Sequence, residues 1–504
     1  MEPIEIPPGV TTLLSRAKRT SNWRETNLVR WENGTTLSPV GGWSEIDYGP
    51  TPFASRCRKI HRWMTLNGLM YTAYLCEGHV YVDESDGVLR DITPVGGMNV
   101  DLVYTAGYGE KEYGAYTYGT ARPGESNFPP ISQAYSLSNW GEDLLAMTSQ
   151  DGRLLRWKPS TPATLLEAVP NFPAPARQFV VTNERHCMAF GINGNFGDFG
   201  WCDEADLEDW TFADPLNKAG MFTVEPLSPI VAAQLSDVGI TVHTPIMTHI
   251  VQYIGVPYIY RIKPIGRVPI PISAQSTAAI PLGIIWVSIE GFWLYNGVNI
   301  DVVFCSVWDT VLERANMGVN VKECSCVTLL NRGEFWWFWV DKNLGSRNSR
   351  YIALDYRAKI WMTGYLNRDC GYVYGNERVP IMSDGAKAYQ HEVGLSYPGA
   401  IQLPFMETHV LNADGGAIHV TLNKLMAEVS GDNSPLRFSV AKSTKRADYT
   451  EEKYTPKRRV NEHGYVDIRE TGRDLRLRID VVEESKDWGS IGPFLMDLKA
   501  RGAR

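Results

Sequence analysis

One unit returns along this chain with variation, and it limits the possible folds more than any other feature. A strand meets a turn carrying Gly with Asp or Asn. A strand with aromatic or β-branched residues and a short polar link follow. The unit is clearest over 66–83, where Met70-Tyr71-Thr72-Ala73-Tyr74-Leu75 turns at Glu77-Gly78 into His79-Val80-Tyr81-Val82. It recurs at 140–157 around Asp151-Gly152, at 283–297 around Glu290-Gly291, at 334–356 across a polar loop, and more weakly at 379–390 around Asp384-Gly385. Two further β-rich windows, 177–210 and 230–262, lie between the second and third of these. A lone hairpin cannot bury its apolar face, so the units must pack on one another. Their spacing is uneven but mostly near the ~40–50 residues of a propeller blade, and radial repetition leaves only short exposed edges. The expectation is an all-β chain: a β-propeller of about six or seven blades over 23–397, preceded by an N-terminal arm, 1–22. Two or three β-sandwiches in series are the competing architecture.

After Tyr397-Pro398-Gly399 the texture changes. Alternating segments such as Ile418-His419-Val420-Thr421-Leu422 and Asp474-Leu475-Arg476-Leu477-Arg478-Ile479 describe sheets with one wet face, so 398–504 is expected to be a C-terminal β-rich, sandwich-like domain. The window 302–315 is one of the few helix candidates. Trp336, Trp337 and Trp339 lie on a single strand and are expected to be buried on both of its faces.

Composition enters at three points. Net charge is −8, which argues against tight phosphate binding, and the imbalance sits in 1–397, with 32 basic and 41 acidic residues against 17 and 16 in 398–504. Eight cysteines in 504 residues do not suggest a disulfide framework; buried free thiols fit better. The start, Met-Glu-Pro-Ile-Glu-Ile-Pro-Pro, lacks the pattern of a signal peptide, and no apolar run is long enough for a spanning helix. Folding in a cytoplasm is the expectation.

Catalytic signatures are scarce. His243 and His249 have no Cys or carboxylate at zinc spacing, and Gly107-Tyr108-Gly109 opens no helix. Asn33-Gly34-Thr35 matches a glycosylation sequon by chance if the chain is not exported. No metal, cofactor or catalytic residue is assigned. One acidic cluster stands out between two tryptophans: Asp198, Asp203, Glu204, Asp206, Glu208 and Asp209. Consecutive acids share one solvated edge more readily than they oppose one another across a pocket, as a glycosidase requires. A channel-facing or partner-facing loop is the functional reading, and a solvated turn the plain one. The basic groups Arg56/Arg58/Lys59 with His61 and Arg62, and Lys457-Arg458-Arg459, suit protected strand edges better than nucleic-acid contacts.

At that acidic loop a pattern emerges. Gly200-Trp201-Cys202-Asp203, Asp209-Trp210-Thr211 and Asn217-Lys218-Ala219-Gly220 are followed by Gly255-Val256-Pro257-Tyr258-Ile259-Tyr260. Next come Gly291-Phe292-Trp293-Leu294-Tyr295-Asn296-Gly297 and Val307-Trp308-Asp309. The series ends on 472–479, Trp488-Gly489-Ser490-Ile491-Gly492-Pro493 and Arg501-Gly502-Ala503-Arg504. In order, these resemble the packaged-DNA-stabilisation or tail-nozzle proteins of podoviruses, over roughly 170–310 and 330–504; Cys202 and Pro493 depart from the pattern. The resemblance implies a non-enzymatic β-propeller in the virion tail, assembled in the host cytoplasm as a homo-oligomer with a six-fold ring. Its implied partners are the portal and adaptor, tail fibres or tailspikes, and a tail needle or plug. The genomic DNA would be retained and then passed without sequence-specific binding. A cellular propeller serving as a protein-interaction platform and a carbohydrate-active propeller enzyme are the alternatives.

Overall fold

A computed structural model of the chain describes residues 2–4, 6–12, 22–50, 52–100, 132–212, 214–315, 323–411, 418–443 and 453–501. Arg16, Lys18 and Arg19, the Gly107–Gly109 turn and the last three residues lie outside the described residues. Among those described, seven four-stranded antiparallel sheets follow one another, each built from four successive strands except the last. Their first strands are Cys57–Met64, Tyr135–Trp140, Gln178–Val181, Ala232–Ser236, Thr277–Ile280, Ser325–Leu329 and Cys370–Tyr372. Each of these packs against the next and the last packs against the first, so they line the axis of a closed ring. The chain is therefore a seven-bladed β-propeller with an appended sandwich, and strictly serial sandwiches do not occur.

The repeat legible in the sequence is the hairpin of second and third strands within each blade. In blade 1, Met70–Cys76 pairs with Val80–Asp83; in blade 5, Gly283–Ser288 pairs with Gly291–Tyr295. Both strands of such a hairpin are covered by neighbouring blades, so their side chains are apolar on both faces. Trp336, Trp337 and Trp339 on Glu334–Trp339 of blade 6 are all buried, as alternation between two covered faces requires. The helix Trp308–Arg314 falls inside the expected window and packs Trp308 and Val311 inward.

The domain boundaries differ from expectation at the N-terminus. Residues 23–39 do not begin the propeller. Trp23–Asn27 pairs with Phe405–Thr408 in a sheet completed by Asp474–Val481 and Leu436–Ser443. Val29–Glu32 and Thr36–Pro39 join the opposing sheet beside Ile491–Arg501, His419–Val429 and Val466–Gly472. Part of the supposed arm belongs there too, since Glu2–Ile4 pairs with Ile491–Arg501. The propeller starts at Trp43–Glu45, which supplies the outermost strand of blade 7 by pairing with Lys387–His391. Period-two alternation specifies a strand and its buried face but not its partner, which is why the sequence left these strands in the wrong sheet.

The sandwich leans on the outer strand of blade 6, Ile360–Tyr365, through Trp23–Asn27. At the junction Arg30 is buried between Glu334 (3.1 Å) and Glu392 (2.7 Å). Burial opposes ionisation of Glu392, but Arg30 and Arg332 outweigh it and hold the carboxyl below its ordinary range. Removing one partner of such a pair strands a buried charge, so breaking the junction there is costly.

Candidate functional site

The acidic cluster begins on the third strand of blade 3, Asp198–Trp201, and continues in the connection to the fourth strand, Gly220–Thr223. This places it on the outer half of its blade, two strands from the axis-lining Gln178–Val181. Asp198 sits on the strand and the other five acids along the connection, and each of the six carboxylates has a hydrogen-bond or ion-pair partner. Asp198 is buried and accepts hydrogen bonds from Thr223 Oγ1 (2.6 Å) and Asn195 Nδ2 (2.7 Å). Asp203 accepts from the Lys218 backbone N–H at 2.7 Å, and Glu204 pairs with the Lys218 ammonium. Asp206 accepts from the Glu208 N–H (3.0 Å), while Glu208 itself reaches Arg156 at 3.2 Å. Asp209 accepts from the Thr211 N–H (2.9 Å) and from Asn217 Nδ2 (3.1 Å).

The two flanking tryptophans anchor the loop from below. Trp201 donates to the Lys218 carbonyl and Trp210 to the Leu207 carbonyl, both at 2.7 Å. Short Asp side chains that accept from a backbone N–H two residues on are the standard chemistry of tight turns. The Lys218 hydrogen bond and charge hold the Glu204 carboxyl below its ordinary range, and the Thr211 N–H does the same for Asp209. The loop is thus a stitched, largely exposed acidic surface on the outer half of its blade.

The other sequence candidates resolve into structural roles. His243 is buried against Trp286 (4.9 Å) with Nδ1 at 3.1 Å from Thr248 Oγ1, and burial pushes its pKa down to about 3. His249 Nε2 lies 3.0 Å from the Glu225 carbonyl. Arg56 pairs with Glu323 (2.9 Å) and Asp369, Arg58 with Glu323, and Arg62 with Glu377 (2.6 Å). Those pairs join blade 1 to residues flanking blades 6 and 7, across the seam where the ring closes. Their acidic partners lie some 265–315 residues away, beyond the reach of any sequence motif. All eight cysteines are free, with Cys57 and Cys370 sulfurs 3.8 Å apart across the same seam. Among the described residues no group of three or more His, Cys, Asp or Glu is placed to hold a metal ion.

Two polar clefts open on opposite ends of the ring. One, of about 320 Å³, is lined by Arg56, Glu77, Tyr135, Gln150 and Glu323 where inner strands begin. The other, of about 360 Å³, lies between blades 3 and 4 and includes Glu184, Asp237, Tyr253, Tyr260 and Arg261. Beside this second cleft projects the turn at Gly255-Val256-Pro257-Tyr258, whose exposure the sequence did not announce. The signal available was apolar residues in a turn that would ordinarily be polar.

No family model matches the chain, and no curated protein does. Among solved structures, a streptogramin B lyase is similar at 8% identity and TM-score 0.40, covering 69% of this chain and 96% of that one. The Pan2 WD40 domain of Neurospora crassa matches at 9% identity and TM-score 0.35, over 69% of this chain and 94% of that one. A fungal alcohol oxidase of the AA5 family, in complex with copper, matches at 10% and 0.42, over 92% and 99%. Likeness at this level says nothing of activity. The ring of seven sheets stands on the chain's own strand pairing.

Proposed function

We propose that the chain is a structural component of a short-tailed phage virion, a tail-nozzle subunit that forms part of a conduit for DNA. The observation that carries this reading is the order of the motifs from Gly200-Trp201 to Trp488-Gly489, which spans both propeller and sandwich. The build is compatible with a load-bearing part. Strands near both ends of the chain share one sheet, the ring is closed by Trp43–Glu45, and buried ion pairs fasten seam and junction. In this reading the acidic loop serves as a partner-facing surface rather than a channel wall within the propeller.

A subunit that contacts identical neighbours around a closed axis is expected to be monomeric or weakly associated alone and to form its ring on a portal and adaptor template. Sedimentation at micromolar concentration and electron microscopy of the protein mixed with those components test it. Rings on the template support the proposal, whereas a tight dimer or a stable complex with a host protein overturns it. The latter result would support an interaction platform in the cell.

A further inference from the structure

The axial space of the ring is closed at one end. Residues 273–276, which lead into the blade 5 inner strand Thr277–Ile280, reach across it to the far side. The Ala274 N–H donates to Ser132 Oγ (2.9 Å), and Gln275 Nε2 donates to the Tyr135 carbonyl (3.0 Å) of blade 2. The Cys326 N–H of blade 6 donates to the Gln275 carbonyl at 2.9 Å. Ala274 packs with Ala134 and Ala232, at the starts of blades 2 and 4, and Ser273 and Ser276 are fully buried. Blades 2 and 5 are not neighbours in the ring, so these contacts meet across the axis and plug it where the inner strands begin.

The charge along the axis is unusual for this chain. The protein carries 57 acidic residues, yet none lies on the seven inner strands. The lysine and arginine residues of those strands all belong to blade 1: Arg58, Lys59 and Arg62. Arg58 pairs with Glu323 and Arg62 with Glu377 (2.6 Å). Lys59 has neither a hydrogen bond nor an ion pair among the described residues. Lys59 and His61 share a face of Cys57–Met64. His61 Nε2 lies 3.0 Å from Asn139 Oδ1 of blade 2, and its ring packs on Tyr372 of blade 7 (5.2 Å), so that face looks onto the axis. The Lys59 side chain comes near Cys370 of blade 7 and Cys326 of blade 6, the latter held at the plug. These ionisable neighbours are neutral at pH 7, since burial raises both thiols and pushes His61 down to about 4. Burial also lowers the pKa of Lys59, because an ammonium in such surroundings costs free energy unless an anion accompanies it. Lys59 is half-buried rather than sealed, so solvent reaches it.

We infer that the plugged axis of the propeller is a binding site for one small anion, a carboxylate or an inorganic oxyanion, held by Lys59. The inference stands on the axial residues alone and does not depend on the conduit reading. With a net charge of −8 the chain repels anions in general, so saturable binding of one per chain would be a local property. Calorimetric titration of the full chain with sodium phosphate or sodium acetate tests it, with sodium chloride at matched ionic strength as the control. Wild-type protein is expected to bind one anion per chain, and its melting temperature should rise with anion concentration beyond the chloride control. The two salts separate the sources: a response to phosphate marks an inorganic oxyanion, and a response to acetate alone marks a carboxylate. Lys59→Met should weaken binding by roughly ten- to a hundredfold, the usual worth of a hydrogen bond to a charged group. In low salt the same variant should melt no lower than wild type, because it removes an unaccompanied buried charge. Lys59→Arg should keep the response. Binding of neither anion by wild-type protein overturns the proposal, whatever the variants do. So does an equal response in wild type and Lys59→Met, which would place the anion elsewhere.

Discussion

Blades 3 and 4 join their third and fourth strands at the same place in the repeat and in opposite ways. In blade 3 the connection is long and acid-rich, and its carboxylates turn onto their own backbone or onto Lys218 and Arg156. In blade 4 it is a short turn, 256–258, closing the two-stranded ribbon of Thr248–Gly255 and Ile259–Gly266, with no acid and with Val256 and Tyr258 exposed. The loop that draws the eye in the sequence is largely satisfied within itself. The turn that looks ordinary is the one with unspent surface. Conspicuous composition and available chemistry are different properties, because a carboxylate already accepting backbone hydrogen bonds has less to offer a ligand.

The comparison breaks first at the side chain the two blades share. Trp201 is buried beneath the acidic loop and meets Tyr260 of the ribbon edge-on at 5.0 Å. Trp201→Ala should cost ~3–5 kcal/mol, as large aromatic truncations do, read by chemical denaturation. Unchanged stability would mean the two connections are not built on a common core.

Next comes Asp203, whose single carboxylate oxygen fastens the far end of the loop at the Lys218 N–H. Asp203→Ala should cost about 1 kcal/mol, the usual net worth of one such hydrogen bond, measured the same way. A cost near zero would return the loop to the status of a loose solvated turn.

Acid separates the two connections without mutation. Glu204 and Asp209 have pKa values below those of the unfolded chain, so their contacts stabilise the loop above the ordinary carboxylate range. That stabilisation is lost as pH falls below about 4 and through the depressed values. A dye on Leu216→Cys should therefore gain mobility on acidification, by fluorescence anisotropy, while the fold measured by circular dichroism persists. The same dye on Val256→Cys should not respond, since the ribbon carries no carboxylate. Equal responses would erase the distinction. The smallest effect is expected at the tip: Tyr258→Ser should change stability by no more than about 0.5 kcal/mol.

The repeat was legible because each blade's central hairpin is apolar on both faces and punctuated by Gly, as at Glu77-Gly78 and Glu290-Gly291. The shortest strands were not, since Glu167–Ala168 on the outside of blade 2 and Cys370–Tyr372 at the axis are too brief to show a period. Trp23–Asn27 was given to the propeller, because its partner Phe405–Thr408 lies more than 370 residues further on. The acids of 198–209 were visible as a cluster, but Arg156 as the partner of Glu208 was not. The ribbon tip was visible as a motif, yet its projection depends on how far Gly239–His243 extends beside it, which is a property of register.

The Trp43–Glu45 strand has a consequence for how the chain is made. Glu45 leaves the ribosome 342 residues before Lys387, with which it pairs. At ordinary elongation rates that is roughly 20–70 s during which the strand has no partner. Blades 1 to 6 can each assemble from contiguous sequence as they emerge, but blade 7 and the sandwich must wait. Throughout that interval the nascent chain presents Trp23, Trp31 and Trp43, all destined for the interior, to whatever holds unfinished proteins in its cell.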